Sequence, residues 1–391
     1  MAMSTPANSV LGELTPESFL ADYWQKKPLL IRNAIPGFST PISPDELAGL
    51  ACETETECRL ILERDGPEPW TVEYGPFTEE RFSHLPQTHW TLLVQECNKY
   101  IPELAALMEH FDFIPSWRVD DVMVSYAPDQ GSVGPHTDQY DVFLLQGLGT
   151  RRWQISNDPV NAANLVPNLD LRIMRDFKVS EEWILAPGDM LYLPPGVAHY
   201  GVALEDCITL SVGFRAPAHG DIIAGFADDI ASNLDDEQRY ADPDLSLPQH
   251  PGEISAEALT KIHEIIQSAT NDAQAMDHWF GRFITESRTG DSVVRPDQQL
   301  GSKQFLSQLQ KHGGLQRSEY ARFAFIRQTD SCMLFIDGQE YPLANELAFA
   351  APLLCDYRQY QYDMLAEKLS IKDFTSLLTE LYNAGYVSFI E

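Results

Sequence analysis

Two short motifs constrain what this chain can fold into more than any other feature of its sequence. The first, residues 134–138, reads Gly-Pro-His-Thr-Asp and directly precedes an apolar run. The second, residues 187–199, reads Pro-Gly-Asp-Met-Leu-Tyr-Leu-Pro-Pro-Gly-Val-Ala-His. Together they offer two imidazoles and one carboxylate, the ligand set of a facial triad that leaves open positions on a non-haem Fe(II). We therefore predict that His136, Asp138 and His199 bind a metal ion and form the catalytic centre.

The chain has the His-x-Asp pattern at His110 and His219 as well as at His136. The sequence around each triplet indicates which of them can bind a metal ion. The pairs at His110 and His219 fall on helix-like segments, where residues two apart point in different directions and cannot readily chelate one ion. Only His136 lies beside a predicted strand, where residues i and i+2 project from the same face. Only this triplet is followed by a distant histidine, which we place at the end of a second strand and a Pro-Pro-Gly turn.

Composition indicates a soluble globular protein with more than one domain. The 391 residues are 44% hydrophobic and 22% charged, which is ordinary for such proteins. The sequence has no apolar run of the roughly 18 residues that a membrane span needs, and its start lacks the features of a secretory signal. Six cysteines without a CxxC spacing are typical of a reducing compartment. We therefore expect a cytoplasmic protein with no membrane contact.

The net charge of −31 bears on the possible partners. A phosphate backbone would be repelled by such a protein, so direct nucleic-acid binding is not expected. The charge either serves solubility alone or attracts a basic, Lys- and Arg-rich polypeptide. Composition leaves both interpretations open.

Residues 1–215 combine capped helices with a series of short strands. Thr15 and Ser43 each precede a proline and early acidic residues, the pattern of a helix N-terminus. Residues 90–97 read as a further amphipathic helix. From Val119 onward, short alternating segments separated by turns predict a closed or sandwiched antiparallel β-fold.

Two further parts follow in the sequence. Residues 216–290 have helical periodicity and are apolar enough to predict self-association. Residues 291–391 place a hairpin turn at 337–338 among helical segments, with a short strand assigned to 307–309, and resemble a winged helix. Acidic residues outnumber basic ones in this last part, so a DNA-reading role is not expected.

The proposed metal site leaves room for a co-substrate. Once His136, Asp138 and His199 are bound to Fe(II), three octahedral positions remain, enough for a bidentate 2-oxo acid and O₂. A dicarboxylic keto acid also needs a cation at its far end. Arg151 and Arg152 lie one hairpin turn beyond the strand that follows Asp138, and a guanidinium can bind a carboxylate through two hydrogen bonds. Strand alternation puts the two arginines on opposite faces, so only one can point inward.

Polar residues on neighbouring strands are expected to line the same cavity. Ser125 can help hold the carboxylate, and Asp121 shares its strand face. Thr209 and Ser211 form the polar face of a later strand and would contact co-substrate or substrate if they point inward. A buried carboxylate needs a cation or hydrogen bonds, so Asp121 predicts a cationic substrate. The alternative is a surface position beside Asp120.

The motifs resemble those of a known family. His136-x-Asp138 and the Pro-Gly-Asp-x-Leu-Tyr-Leu-Pro-Pro-Gly segment before His199 resemble the JmjC/cupin-type 2-oxoglutarate oxygenases. Residues 133–143, Val-Gly-Pro-His-Thr-Asp-Gln-Tyr-Asp-Val-Phe, and 211–217, Ser-Val-Gly-Phe-Arg-Ala-Pro, are closer still to the bacterial ribosomal oxygenases. Members of that family hydroxylate an arginine of the sixteenth protein of the large ribosomal subunit. The entry segment Tyr-Trp-Gln-Lys-Lys-Pro extends the resemblance over nearly the whole chain.

The resemblance implies both an architecture and an activity. The fold would be α+β, with a double-stranded β-helix (cupin/JmjC) core in 1–215, a helical dimerisation region in 216–290 and a winged-helix domain in 291–391. The cofactors would be Fe(II), 2-oxoglutarate as co-substrate and O₂. The protein would be a homodimeric 2-oxoglutarate-dependent dioxygenase, with a basic ribosomal protein as its substrate.

Individual positions carry the family's roles over to this chain. His136, Asp138 and His199 match the iron ligands, Arg151 matches the residue that binds the distal carboxylate, and Ser125 matches its helper. Asp138 and Arg151 favour a hydroxylase, since a JmjC demethylase commonly has glutamate and lysine there. We assign Thr209 to the co-substrate as well, and we assign Asp121, Tyr140 and Ser211 to the substrate.

Three other functions remain open at this stage. One is a JmjC-like hydroxylase that acts on a histidine or lysine of another basic protein. Another is a cupin-type metalloenzyme that does not use 2-oxoglutarate and has no need of Arg151. The third is a non-catalytic interaction protein on a decayed oxygenase scaffold, which the intact ligand set argues against.

Overall fold

The computed structural model describes residues 10–64, 69–158, 164–167, 171–235, 237–287 and 293–390. The chain divides into two compact units, Met1–Ala216 and Pro217–Glu391. The boundary predicted between residues 290 and 291 lies outside the described residues, and the three-part division stays a prediction. Within the described ranges, no helix is both long and apolar enough to cross a membrane.

The first unit is built on strands that form two antiparallel sheets. The strands are β1 Leu29–Ile31, β2 Cys58–Glu63, β3 Trp70–Tyr74, β4 Trp90–Val94, β5 Val119–Ala127, β6 Val142–Leu148, β7 Arg151–Ser156, β8 Glu181–Leu185, β9 Met190–Leu193, β10 Ala198–Ala203 and β11 Cys207–Phe214. The large sheet has the order β1-β9-β6-β11-β5-β4-β2-β3, and the small sheet has the order β10-β7-β8. The predicted antiparallel β-core is confirmed.

The large sheet buries both of its faces, in different ways. On β11, Leu210 and Val212 belong to the main hydrophobic core, whereas Thr209 and Ser211 alternate with them and lie on the opposite face. The main core also contains Phe19, which comes from the N-terminal helical segment. The other face of the sheet lines the interior of the β-core, where the polar residues of the site are found.

A second, smaller cluster fills part of this interior. It joins apolar side chains of both sheets, namely Val142, Leu144, Trp153, Ile155, Leu185, Leu191 and Leu193. The two sheets are thus held together by apolar contacts on the same side of the large sheet that carries Thr209 and Ser211. The interior of the β-core thus has an apolar part, filled by this cluster, and a polar part, which contains Thr209 and Ser211.

The N-terminal helices begin where the sequence predicts. The helices of this unit are α1 Pro16–Asp22, α2 Pro44–Leu50, α3 Glu79–Ser83 and α4 Pro102–Leu107. Thr15 accepts a hydrogen bond from the backbone N–H of Ser18 at 3.2 Å. Ser43 and Glu46 form a reciprocal capping box at the start of α2. Both predicted caps are confirmed.

The helix predicted for residues 90–97 is wrong. Residues Trp90–Val94 form β4, which pairs with β2 and β5 in the large sheet. Its last four residues are all buried, so both faces of the strand carry buried side chains and the sequence does not alternate between apolar and polar residues. A short run of this kind has no periodicity that distinguishes a buried strand from a helix.

The second unit begins with the predicted helices, α5 His219–Asn233, α6 Ala256–Thr270 and α7 Ala273–Thr285. Helix α7 packs through Trp279, whose ring lies 5.2 Å from the ring of Phe226 on α5. Helix α6 has no buried residue. Leu259, Ile262, Ile265 and Ile266 are exposed on α6, so an apolar surface of this helix is uncovered in the single chain.

The rest of the second unit is a small mixed domain. Its helices are α8 Ser302–His312, α9 Ala350–Asp356, α10 Tyr362–Ala366 and α11 Lys372–Ala384, and its strands are β12 Gly314–Arg317, β13 Phe323–Arg327, β14 Ser331–Ile336, β15 Gln339–Ala344, β16 Gln359–Gln361 and β17 Val387–Phe389. Strands β13, β14 and β15 form the wing. The predicted turn between β14 and β15 is present, with positive φ at both Asp337 and Gly338.

One prediction in this domain is wrong. Residues 307–309, assigned to a strand, belong to helix α8, which buries Phe305 and Leu309 on one face. These two residues are four apart, which is the helical spacing. The assigned segment was too short to reveal that period.

Candidate metal centre and co-substrate pocket

The two motifs meet through their backbones. The backbone N–H of His136 donates to the carbonyl of His199 at 3.0 Å, and the N–H of His199 donates to the carbonyl of His136 at 2.9 Å. This isolated antiparallel bridge joins the first motif to strand β10. His199 is the second residue of β10, so the expectation that it ends the preceding strand is wrong. The bridge places both imidazoles side by side, with ring centroids 4.2 Å apart.

Asp138 completes a cluster of three potential ligands. Its carboxylate oxygens lie 3.9 Å from Nε2 of His136 and 3.6 Å from Nε2 of His199. One ligand atom from each residue lies within 4.8 Å of the others. Among the described residues, this is the one group of three or more His, Cys, Asp and Glu side chains close enough to hold a metal ion. The triplets at His110 and His219 form no such group.

Each imidazole is oriented by a hydrogen bond between its Nδ1 atom and a backbone carbonyl. Nδ1 of His136 lies 2.9 Å from the carbonyl of Gly134, and Nδ1 of His199 lies 3.0 Å from the carbonyl of Val197. A carbonyl can only accept, so Nδ1 carries the proton in each neutral ring and Nε2 has its lone pair available. Both Nε2 atoms face Asp138. This tautomer is the one in which Nε2 can coordinate a metal.

His199 is neutral at physiological pH. Burial, followed by the neighbouring His136, lowers its pKa from 6.5 to about 4, although Asp138 acts in the opposite direction. A metal ligand must be the unprotonated imidazole. The environment of His199 therefore favours the coordinating form over the charged form.

Gly134 gives the first motif its backbone geometry. It has φ +78°, and a Cβ at this position would lie 2.9 Å from the side chain of Ile173. Its N–H donates to Ser132 Oγ at 3.1 Å, and that hydroxyl donates to the carbonyl of Gly201 on β10 at 2.7 Å. The loop that delivers His136 is thus tied to the strand that carries His199.

The aspartate of the second motif shapes its turn. Asp189 accepts hydrogen bonds from the backbone N–H of Asn33 at 2.9 Å and of Ala186 at 3.1 Å, and from Arg32 at 2.5 Å. Burial opposes its ionisation, but these hydrogen bonds and the Arg32 guanidinium lower the pKa of Asp189. Asp189 thereby fixes the Pro-Gly-Asp turn that leads into strand β9.

Arg151 points into the interior of the β-core, and Arg152 lies on the other face of β7. Arg151 is 3% exposed, whereas Arg152 is only half-buried. The guanidinium of Arg151 makes long hydrogen bonds to Ser125 Oγ at 3.5 Å, Thr209 Oγ1 at 3.4 Å and the carbonyl of Gly201 at 3.3 Å. All three acceptors are neutral, and Nε has no partner in the described part of the chain. Burial lowers the pKa of Arg151.

Ser125 and Thr209, which we predicted to contact the co-substrate with Arg151, both lie beside its guanidinium, and Gln146 is a neighbour that the sequence analysis did not name. Ser125 and Thr209 are opposite each other in the β5–β11 pairing, and both are buried. Thr209 donates to Oε1 of Gln146 at 3.1 Å. Gln146 is fully buried on β6. Gln146 lies on the same strand face as Val142 and Leu144. A polar residue on an otherwise apolar strand face was the sequence signal that could have identified it as an interior residue.

Of the three residues assigned to the substrate, Asp121 and Ser211 lie on the paired strands β5 and β11, and Tyr140 lies two residues before β6. A Cβ on Gly213 would lie 3.4 Å from Oδ1 of Asp121 and 4.0 Å from the ring of Tyr140, so these two side chains flank Gly213. Ser211 lies two residues earlier on the same face of β11 and is buried. Asp121 is 8% exposed and Tyr140 is 43% exposed. The surface position considered for Asp121 is therefore wrong.

Hydrogen bonds to one of its two carboxylate oxygens, Oδ2, fix the orientation of Asp121. Its Oδ2 accepts from the backbone N–H of Glu96 at 3.0 Å. The amide of Gln95, oriented so that both its atoms are satisfied, donates to the same oxygen at 3.3 Å and accepts from Arg59 at 2.8 Å. The carboxylate is thus oriented with Oδ1 towards Gly213.

Comparisons with known proteins agree with this geometry. Residues 106–222 match the family model of a JmjC domain, and residues 267–388 match that of a ROXA-like winged helix. The chain is 36% identical over 368 residues to the ribosomal protein uL16 3-hydroxylase of Escherichia coli, covering 94% of this chain and 96% of that protein. It is 35% identical over 337 residues to a probable ribosomal oxygenase of Haemophilus influenzae, covering 82% and 78% of the two chains.

Solved structures give the same result. The structure of YcfD from Escherichia coli matches with a TM-score of 0.86 at 35% identity, covering 96% of this chain and 98% of that chain. A structure of the ribosomal oxygenase YcfD in complex with cobalt and 2-oxoglutarate matches with a TM-score of 0.83 at 34% identity and the same coverage. The predicted double-stranded β-helix core and C-terminal winged helix are confirmed. The chain therefore belongs to the family of JmjC-domain ribosomal oxygenases.

Proposed function

We propose that this protein is an Fe(II)- and 2-oxoglutarate-dependent oxygenase that hydroxylates an arginine side chain of the ribosomal protein uL16. One observation carries the proposal: a buried arginine, Arg151, shares the interior of the β-core with a His-Asp-His cluster and has no carboxylate partner among the residues that the structure describes. The ring of Trp153 lies beside both groups: its centroid is 5.0 Å from the guanidinium carbon of Arg151 and 5.9 Å from the ring centroid of His199. A metal site and an anion site in one interior suit a chelating dicarboxylic keto acid.

The donor set fits Fe(II). Two imidazoles whose Nε2 atoms face Asp138, together with that carboxylate, are the ligand set of non-haem Fe(II) oxygenases. His136, Asp138 and His199 would hold the ion. When bound, Fe(II) supplies the oxygen chemistry, in which 2-oxoglutarate is oxidised to succinate and CO₂ while one oxygen atom enters the substrate C–H bond. The protein holds the ligands, excludes water and places the substrate.

Arg151 would bind the distal carboxylate of 2-oxoglutarate. A buried guanidinium without a counter-ion is destabilising, and a carboxylate placed against it forms charge-assisted hydrogen bonds. Ser125 and Thr209, which now contact Arg151 at long distances, offer hydroxyl groups to the same carboxylate. We assign all three residues to the co-substrate.

The pocket beside Gly213 would bind the substrate guanidinium. Asp121 presents Oδ1 there, with the ring of Tyr140 on the other side and Ser211 on the same strand face. A buried carboxylate gains a charge-assisted contact from a cationic side chain and favours it over a neutral one. The chain charge of −31 would attract a basic ribosomal protein and raise its association rate.

The proposal includes a location and an assembly. A protein that acts on ribosomal proteins belongs in the bacterial cytoplasm, and all six cysteines of the structure are free thiols. The exposed apolar surface of α6 supports a homodimer formed through residues 216–290. The acidic excess of residues 291–391 supports a winged helix without direct nucleic-acid binding.

The first prediction concerns the metal. His136→Ala, Asp138→Ala and His199→Ala should each abolish Fe(II) binding, measured by anaerobic equilibrium titration, because two ligands do not hold the ion. His110→Ala and His219→Ala are the controls and should bind as the wild type does. Equal loss in a control variant would show that the wrong triplet has been chosen.

The second prediction concerns the co-substrate. Arg151→Ala should raise the KM for 2-oxoglutarate at least about tenfold, since a hydrogen bond between charged groups contributes roughly 1.5–3 kcal/mol. Arg152→Ala removes the same side chain from the other face of β7 and should change the KM little. The reverse order would mean that the inward-facing arginine has been misidentified. If the protein oxidises a substrate without 2-oxoglutarate, it is a different cupin-type metalloenzyme.

The third prediction concerns assembly. Sedimentation at micromolar concentration should give a dimer, and Ile262→Asp on α6 should shift the protein to monomer, because a charge would be buried in the interface. Val179→Asp changes an exposed apolar residue of the first unit and should leave the dimer intact. A monomeric wild-type protein would contradict the proposal.

The fourth prediction concerns the substrate. Two uL16 peptides, one with the target arginine and one with glutamine in its place, should differ, with oxygen added only to the arginine peptide. Mass spectrometry detects the product. Turnover should fall at high salt, because the attraction between opposite charges is screened, and it should fall in Asp121→Ala. Equal hydroxylation of the glutamine peptide would rule out the arginine pocket while leaving the iron chemistry intact. Hydroxylation of a lysine or histidine instead would favour another basic substrate.

A further inference from the structure

The pairing of β5 with β11 is interrupted at the proposed substrate pocket. The pairing partners of Val212 and Phe214 are three residues apart on β5 instead of two. Asp120 and Asp121 therefore lie opposite a single residue, Gly213, which is the arrangement of a β-bulge. A bulge bends its strand and redirects the side chains that it carries. The direction of Asp121, which we assign to the substrate guanidinium, thus depends on what holds this bulge in place.

Arg118 ties the two strands together just beyond the bulge. Its Nε donates to the carbonyl of Arg215 at 2.6 Å, and its own carbonyl accepts from the backbone N–H of Arg215 at 2.5 Å. The guanidinium of Arg118 also lies 3.5 Å from Oδ2 of Asp141, the residue between Tyr140 and the first residue of β6. One arginine thus links the ends of β5, β11 and β6 beside the residues assigned to the substrate.

Asp141 is the centre of a buried hydrogen-bond network. It is fully buried, and it accepts from the hydroxyl of Tyr192 at 2.6 Å and from the side-chain amide of Gln25 at 2.8 Å. Its carbonyl accepts from the backbone N–H of Phe214 on β11 at 3.0 Å. Tyr192, Gln25 and Arg118 all donate to the carboxylate, so a side-chain amide at this position would place a donor against donors.

The network gives a role to the entry segment Tyr-Trp-Gln-Lys-Lys-Pro, which the proposed function leaves unexplained. Gln25 has a φ of 56°, which is uncommon for a residue other than glycine. In this conformation its backbone N–H donates to the hydroxyl of Tyr192 at 2.8 Å while its amide reaches Asp141. The ring of Trp24 stacks on Tyr192 at 5.9 Å and lies 5.5 Å from the guanidinium carbon of Arg118. The segment therefore packs around the partners of Asp141.

We infer that Asp141 is a positioning residue for substrate recognition, which holds Arg118 against the β5 bulge and thereby directs Asp121 at the substrate. The inference rests on the function proposed for this pocket. It also places Tyr140, the next residue along the chain, under the control of the same buried carboxylate.

The metal ligands are held by separate contacts. His136 is fixed by its backbone bridge to His199, and the carbonyl of Asp138 accepts from the N–H of Gly196 at 2.8 Å. Loss of the Asp141 network should therefore weaken substrate binding and leave the binding of metal and co-substrate nearly unchanged. This selectivity distinguishes a positioning role from a general contribution to stability.

The test replaces the carboxylate by an amide of the same shape. In Asp141→Asn, the KM for the arginine peptide of uL16 should rise about tenfold, as for one hydrogen bond to a charged group, while the KM for 2-oxoglutarate and the Fe(II) affinity should change less than about twofold. In the Asp121→Ala background, Asp141→Asn should raise the peptide KM much less, because the residue that it positions has been removed. Thermal unfolding checks that each variant is folded.

A milder variant has a matched control. Tyr192→Phe removes one donor to Asp141 and should raise the peptide KM about threefold. Tyr360→Phe removes a buried hydroxyl that donates to the carbonyl of Leu354 at 2.8 Å in the second unit, and it should leave the peptide KM unchanged. An unchanged peptide KM in Tyr192→Phe and in folded Asp141→Asn, or equal losses for peptide, 2-oxoglutarate and Fe(II), would overturn the inference alone. Failure of the wild type to hydroxylate the arginine peptide would overturn both the inference and the proposed function.

Discussion

The alternation of side chains along the strands of the large sheet is the constraint on which the rest of the first unit depends. On β11, one set of residues packs into the main core while Thr209 and Ser211 face the interior of the β-core. Strand β5 divides in the same way, with Val122 and Val124 in the main core and Asp121 on the other face. A shift of one residue in register would exchange these faces, burying the polar site residues in the main core. The apolar face therefore fixes the register, and the register fixes the site.

The interior accepts several polar groups whose burial costs free energy. Asp121 is compensated by hydrogen bonds from Glu96 and Gln95, and Thr209 by Gln146. Among the described residues, Arg151 is compensated only by neutral acceptors at long distances. This difference is informative, because structural polar groups are satisfied within the protein, whereas binding groups remain in need of a ligand. Arg151 is thus suited to bind an anion.

Sequence reasoning identified the parts of the site that follow from motif and strand parity. His136, Asp138 and His199 come together because a strand-like backbone pairs the two motifs, and Arg151 and Arg152 separate because neighbouring residues of a strand face opposite ways. Sequence reasoning assigned the wrong secondary structure where a segment had no helical or strand periodicity. Residues 90–97 and 307–309 were short segments whose structure is decided by the sheet or helix that they join. Gln146 and Trp153 were missed because neither is a metal ligand or a charged group, and only contacts across strands reveal their surroundings.

Those contacts also explain why small residues recur around the centre. Gly134 and Gly201 lie on the two segments that the His136–His199 bridge connects, and each is needed because a neighbouring side chain occupies the space of a Cβ. Ser132 spans them, accepting from Gly134 and donating to Gly201. Gly201 then admits Trp153 and Arg151 against β10, close to the histidine that lies two residues earlier. Removal of side-chain volume at two backbone positions thus allows the metal ligands, the guanidinium and the indole to share one small interior, and substitution at either glycine would displace several of these groups at once.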